Sequence, residues 1–333
     1  MTTGPLSTGA LVDMGDLDGL LIRVDHLCAD RDWAGVVDLR DRCRRAVERG
    51  HQLWPVASHA EYRLALEAPG REAAGVLVAG TGRFALGPLA EVAASTHSWA
   101  ELRPHVPRSP EAGMAAHERV VRGEDLVGDD TVDPAVLELP LRLQPWEPDY
   151  PLATYRPHEL EVDDAPEPEL GPAVPAPPAG APATGGDHLE ATRALEELAM
   201  TWRQESNGEV AAVAVVGDAP AAIAALGVAQ LRIVEVPLAH ALGVMAWTAA
   251  SGGAHGRRRG MAYGRFSAWW AVAALAGGLD RWPFDPDELG SAATALRWYR
   301  WEPGPPEGGW SLRLAADDPA TGTAWAVLAV DRS

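Results

Sequence analysis

Eleven prolines fall between Pro145 and Gly186, set among acidic residues, alanine and glycine in runs such as Val174-Pro-Ala-Pro-Pro-Ala-Gly-Ala-Pro-Ala. Proline has no N–H, so this stretch cannot donate a regular hydrogen-bond ladder. Its apolar content is also too low to offset the entropy of ordering. It reads as an extended, partly polyproline linker. The chain of 333 residues is long enough for a real core on either side. The expected organisation is therefore a helical domain over 1–144, an acidic linker over 145–188 and a mixed α/β domain over 189–333.

Charge follows the same division. The formal net charge is -19, made up of -7 over 1–144, -8 over 145–188 and -4 over 189–333. No segment is basic overall, so the phosphate neutralisation that non-specific nucleic-acid binding needs is missing, and a protein partner is favoured over nucleic acid. Lysine is absent, which excludes a GxxxxGK[ST] phosphate loop and any Schiff-base chemistry through this chain. Cys28 and Cys43 are the only cysteines and lack CxxC spacing. No charged-then-apolar leader opens the chain and no apolar run is long enough to span a membrane. A cytoplasmic protein with reduced, core-facing thiols is expected.

The N-terminal part reads as helices over Leu17–Cys28, Trp33–Arg49 (capped by Asp32), Ser58–Ala68 and several shorter stretches as far as Arg122. Short helices joined by Gly/Pro turns suggest a solenoid-like all-α domain, although no period repeats. Ala135–Leu143 alternates apolar residues and reads as a strand or an arm. Beyond the linker, Leu189–Arg203 reads as a helix, Glu209–Val216 and Leu231–Val236 as strands, and Pro237–Ala249 and Met261–Ala276 as helices. Leu296–Trp301, Trp310–Ala315 and Thr323–Asp331 read as strands, the last two forming a terminal antiparallel hairpin across Asp317–Gly322. The fold class expected is α+β multidomain: an all-α domain followed by a mixed α/β domain.

One local feature suits anion capture. No acidic residue lies between Val236 and Asp280, yet four arginines do, three of them in Ser251-Gly-Gly-Ala-His-Gly-Arg-Arg-Arg-Gly. Glycines let a backbone approach a ligand, a following helix offers free N–H groups, and guanidinium supplies planar donors. Gly252, Gly253, His255, Gly256, Arg257, Arg258, Arg259 and Arg265 are the candidate ligand-binding residues, with His255 as a proton carrier. The plainer reading is a helix–helix loop whose arginines pair with the protein's own carboxylates.

Other motifs carry less. Val213–Asp218 followed by Pro220 resembles the end of a dinucleotide-binding strand but lacks GxGxxG. There is neither HExxH nor GxSxG, and no histidine sits at metal-ligand spacing with a carboxylate, so neither a metal nor another cofactor is expected. His240, on an apolar helix, reads as a satisfied core residue. Trp269 and Trp270 on the apolar helix and Trp298, Tyr299, Trp301, Trp310 and Trp325 in the terminal strands read as core, with an aromatic surface beside the arginine loop as the alternative.

The stretch Ser251–Trp270, together with Gly309-Trp-Ser-Leu-Arg-Leu-Ala-Ala-Asp-Asp-Pro and Thr323-Ala-Trp-Ala, resembles an uncharacterised domain-of-unknown-function family of high-GC Gram-positive bacteria. The resemblance covers about a quarter of the chain and implies no activity. The expectation is a non-catalytic interaction or regulatory protein. The alternative is an enzyme or sensor holding an anionic small molecule, a phosphate or carboxylate, at residues 252–260.

Overall fold

Local capping chemistry starts the first helices. In the computed structural model, which describes residues 7–165, 167–304 and 309–332, the side chains of Ser7, Asp16 and Asp32 accept backbone N–H groups of Ala10, Gly19 and Gly35. They open α1 (Thr8–Met14), α2 (Leu17–Ala29) and α3 (Trp33–Glu48). Next come α4 (Trp54–Glu67), α5 (Gly70–Ala74), α6 (Leu89–Thr96), α7 (Trp99–Leu102) and α8 (Pro110–Val121). Ser98 and Glu101 close a capping box on α7.

The helical part gathers around α4, which packs against α2, α3, α5 and α6. A solenoid would have each helix pair touch only its sequence neighbours. Cys28 and Cys43 are buried free thiols, and burial pushes each up to about 11.

The proline-rich stretch does more than connect. Ala153–Arg156 (β1) and Glu159–Val162 (β2) form an antiparallel hairpin with Arg156 opposite Glu159. The Tyr155 hydroxyl donates to Glu91, and the Tyr62 hydroxyl to the Arg156 carbonyl. Val174–Pro175 (β3) pairs with β6 (Gln230–Val236), and Ala181–Pro182 (β4) with β5 (Glu209–Val216). Both short strands lie at sheet edges, where a proline costs no ladder bond. The chain forms two compact units. The first comprises Met1–Val120, Gly128–Val136 and Ala153–Val162; the second comprises Val121–Val127, Leu137–Leu152 and Asp163–Ser333. The stretch therefore contributes structure to each.

The second unit is built on one seven-stranded antiparallel sheet in the order β3-β6-β7-β8-β9-β5-β4, with β7 at Arg297–Glu302, β8 at Trp310–Asp318 and β9 at Thr323–Asp331. The expected terminal hairpin is present, in register from Trp310 opposite Asp331 to Asp318 opposite Thr323. Asp318 shapes its turn by accepting from Ala320 N–H and Thr321. Asp317 reaches elsewhere: it accepts the Ala219 N–H at the start of α11 (Ala219–Ala225) and pairs with Arg297. Ala219, Ala222 and Ile223 of α11 pack with Val215, Leu231, Trp301 and Ala315 of the sheet.

The remaining helices are α9 (Gly186–Glu197), α10 (Met200–Glu205), α12 (Leu238–Ala250), α13 (Met261–Leu275) and α14 (Pro286–Ala295). The single helix expected over Leu189–Arg203 is thus two, broken between Glu197 and Met200. Among the described residues no helix is long and apolar enough to cross a membrane. Trp298, Trp301 and Trp325 are buried in the sheet and Trp269 in α13, so these rings are core.

Helices α12 and α13 approach closely at Gly264, where an added Cβ would overlap the Ala246 carbonyl oxygen and lie 3.0 Å from the Ala250 Cβ. Replacing Gly264 with Ala should cost about 1–3 kcal/mol in denaturant titration. Gly186, at the start of α9 with open space around its Cβ position, should tolerate Ala with no loss.

Candidate functional site

The loop between α12 and α13 begins in the core. Ser251 is buried, accepts from Trp202 Nε1 at 2.9 Å and donates to the Thr248 carbonyl at 2.9 Å. Gly252 and Gly256 then bring two backbone segments together, since a Cβ on Gly252 would overlap the Gly256 carbonyl. Gly253 takes a left-handed φ of 70°, and a Cβ there would strike the Asp331 carboxylate. These glycines are needed because the loop folds tightly on itself and onto the end of β9.

The expected anion site already contains carboxylates, and they belong to the protein. Asp331, fully buried, accepts the Ala254 N–H at 2.6 Å on one oxygen and the Ser206 hydroxyl at 3.0 Å on the other. Glu205, at the end of α10, accepts the Arg257 N–H at 3.1 Å. The Arg259 N–H bonds to the Ala250 carbonyl at 2.7 Å, and its guanidinium lies 4.3 Å from the Tyr263 ring centre. His255, Arg257 and Arg259 are exposed on the rim and Arg258 is half-buried. Gly260, with φ of 94°, leads into α13 without a side-chain cap.

Arg265 does not join them. It is fully buried one turn into α13 and forms a bidentate pair with Glu147, Nε to Oε2 at 2.7 Å and Nη2 to Oε1 at 2.8 Å. Its remaining bonds go to the carbonyls of Pro140 and Arg142. Those carbonyls come from the stretch expected to be a strand or an arm. It is an arm: Leu137 and Glu138 have φ of 62° and 52°, outside any strand conformation. Arg265 therefore leaves the ligand set, because a guanidinium buried among apolar side chains is stable only when fully paired.

Glu147 also accepts from Trp269 Nε1 at 2.9 Å, the Tyr150 hydroxyl at 2.7 Å and the Gln144 N–H at 2.8 Å. Burial raises its proton affinity, but the charge and hydrogen bonds of Arg265 outweigh this and hold the carboxyl below its usual value. Burial, and then the adjacent Glu147 charge, push the Tyr150 phenol well above its ordinary value, so it stays a proton donor.

Two further histidine findings differ from expectation. His240 is not satisfied: its Nε2 is buried without a partner, and burial lowers its pKa. Although no histidine has metal-ligand spacing with a carboxylate in the sequence, the fold brings Asp25, His59 and His158 together from three separate elements. Burial, and then the Arg63 charge, lower the pKa of His59 and favour the neutral imidazole.

These features define a two-unit mixed α/β protein whose second unit is an antiparallel sheet flanked by helices, with a glycine loop latched by its own carboxylates. The chain belongs to the family of unknown function DUF6183, whose family model matches residues 18–332. No curated protein and no solved structure matches it.

Replacing Asp331 with Ala should strand the Ala254 N–H and the Ser206 hydroxyl at a cost of about 1.5–3 kcal/mol, with faster amide exchange at Ala254. Glu147 makes a pH prediction. Because its folded pKa is depressed, its contribution is full above the unfolded value near 4.5 and is lost as pH falls through the folded value. Glu147→Gln should therefore lower stability at pH 7 by about 3–5 kcal/mol. It should also show a shallower loss below about pH 4 than the parent in equilibrium unfolding.

Proposed function

We propose that this is a non-catalytic cytoplasmic interaction protein whose second unit receives an extended, uncharged segment of a protein partner beside β5. The observation that carries this reading is the uncovered edge of that strand. β5 runs for eight residues, whereas β4 pairs only with Val215 and Val216. The Ala183 N–H adds a bond to the Ala214 carbonyl, so the outward-facing backbone positions are 214, 212 and 210. Beyond Ala214 no strand lies beside β5 among the described residues.

A groove of about 330 Å³ follows this edge, lined by α9 (His188, Leu189, Thr192), by Ala212 and Ala214, and by Ala225 of α11. Its occupant is identified by what already lies there. The chain's own Ala181–Ala183, free of charged side chains, pairs antiparallel on the same edge. A partner strand of small aliphatic residues and proline continues that pairing, with backbone bonds supplying affinity and the groove reading alternate side chains.

The loop at 252–260 supports a second reading through its exposed rim of His255, Arg257 and Arg259. There an acidic segment of a partner, or an anionic small molecule, would meet guanidinium groups. The inward N–H groups at Ala254 and Arg257 are bonded to Asp331 and Glu205.

Selection of peptides from a random display library against the full chain separates the two. The edge reading expects an uncharged, strand-forming consensus. Its affinity should fall at least tenfold in Ala212→Pro, which removes an outward N–H while leaving the β5–β9 ladder intact, and should be unchanged in Arg259→Ala. An acidic consensus lost in Arg259→Ala and kept in Ala212→Pro would overturn it in favour of the loop. A selection that yields no binder would overturn it as well.

A further inference from the structure

We propose that Asp25, His59 and His158 form a binding site for one divalent transition ion of the zinc class in the first unit. Asp25 comes from α2, His59 from α4 and His158 from the turn between β1 and β2. Asp25 Oδ1 lies 3.7 Å from His59 Nε2 and 3.5 Å from His158 Nε2. One ligand atom from each of the three residues can be chosen so that all lie within 4.8 Å of one another.

The distances choose between two explanations. N–H···O bonds run about 2.7–3.2 Å, so both contacts are too long to be good hydrogen bonds. Two ligands bound at about 2.0–2.1 Å to a tetrahedral ion stand about 3.3–3.4 Å apart. The contacts sit close to that separation. The imidazoles also stack with ring centres 5.4 Å apart and planes within 17°, and both present Nε2 to the same carboxylate oxygen.

The donor set selects the ion. Two imidazoles and one carboxylate suit zinc and its neighbours, whereas calcium and magnesium take oxygen ligands. Local charge permits it. Arg63 pairs with Asp25, but it also pairs with Glu67, so one positive charge is shared by two negative ones and a formal charge of about -1 is left for the cation. The side chains are 39%, 19% and 62% exposed in the order Asp25, His59, His158, so water reaches the open side and completes the coordination shell. An ion held here would tie the β1–β2 hairpin to α2 and α4, linking residues that lie about a hundred positions apart in the chain.

The test is titration of Zn²⁺ into the full, tag-free chain after chelator treatment, read by calorimetry and by metal content after gel filtration. One ion per chain is expected. Affinity should fall at least tenfold in His158→Ala, whose exposed side chain leaves the fold intact, and again in His59→Gln. His105→Ala, at an exposed histidine elsewhere, should bind as the parent does. Excess Mg²⁺ or Ca²⁺ should not compete. Absence of saturable uptake, or uptake undiminished in His158→Ala, would overturn the proposal.

Discussion

The buried pair between Glu147 and Arg265 is the interaction on which the second unit depends most. Two opposite charges at zero exposure are tolerable only because almost every lone pair and proton is used. Glu147 takes five donors, from Arg265, Trp269, Tyr150 and the Gln144 backbone. Arg265 spends its remaining bonds on two backbone carbonyls. The pair therefore fixes more than two side chains. It holds an irregular arm, residues 137–147, against a helix that could otherwise slide, since α13 is apolar nearly all round. Apolar contacts alone tolerate many registers, whereas a bidentate carboxylate accepts one. The Trp146 ring packs against Trp269, with ring centres 4.6 Å apart and planes tilted by 39°, and donates to the Pro286 carbonyl, which extends the same constraint to the start of α14.

A second constraint closes the loop above this helix. The glycines at 252, 253 and 256 let the chain turn onto the Asp331 carboxylate at the end of the last strand. Bonds to Ala254 and Ser206 then join β9, the loop and the segment after α10 at one buried group. What resembles a cradle for a foreign anion is here satisfied by the chain's own. Glycine and N–H geometry that suits a phosphate suits a carboxylate equally well, and sequence cannot distinguish an external ligand from a side chain arriving from over seventy residues away.

Legibility follows sequence distance. Asp32 before Trp33, the β-branched run at 209–216 and the turn at 318–322 act through neighbours within a few residues, and each produced the element expected. Which face of α3 is buried is set by packing against α4, which takes in Leu39 and leaves Val47 exposed. The partner of Arg265 lies 118 residues upstream, inside a segment whose prolines argued against structure. One clue was present, since an arginine in an otherwise apolar helix requires a buried carboxylate somewhere. The trio Asp25, His59 and His158 gave no comparable clue, because its residues sit on two helices and a hairpin turn with no fixed spacing between them.

The prolines themselves explain how such a segment can be ordered without a ladder. A proline-rich strand inside a sheet loses bonds on both sides, but at an edge it needs to pair on one side only. Residues 174–175 and 181–182 take that position at opposite edges of the sheet, and each blocks only two residues of its neighbour. Brief, proline-bearing edge strands guard against indiscriminate pairing between chains. On β6 the cover is reinforced by Arg232, which bonds to the carbonyls of Leu170 and Gly171. On β5 the cover ends at Ala214 as the chain turns away into α9. Each edge is thus closed at one end only, over residues 230–231 of β6 and 215–216 of β5, so the same proline device serves both sides of the sheet.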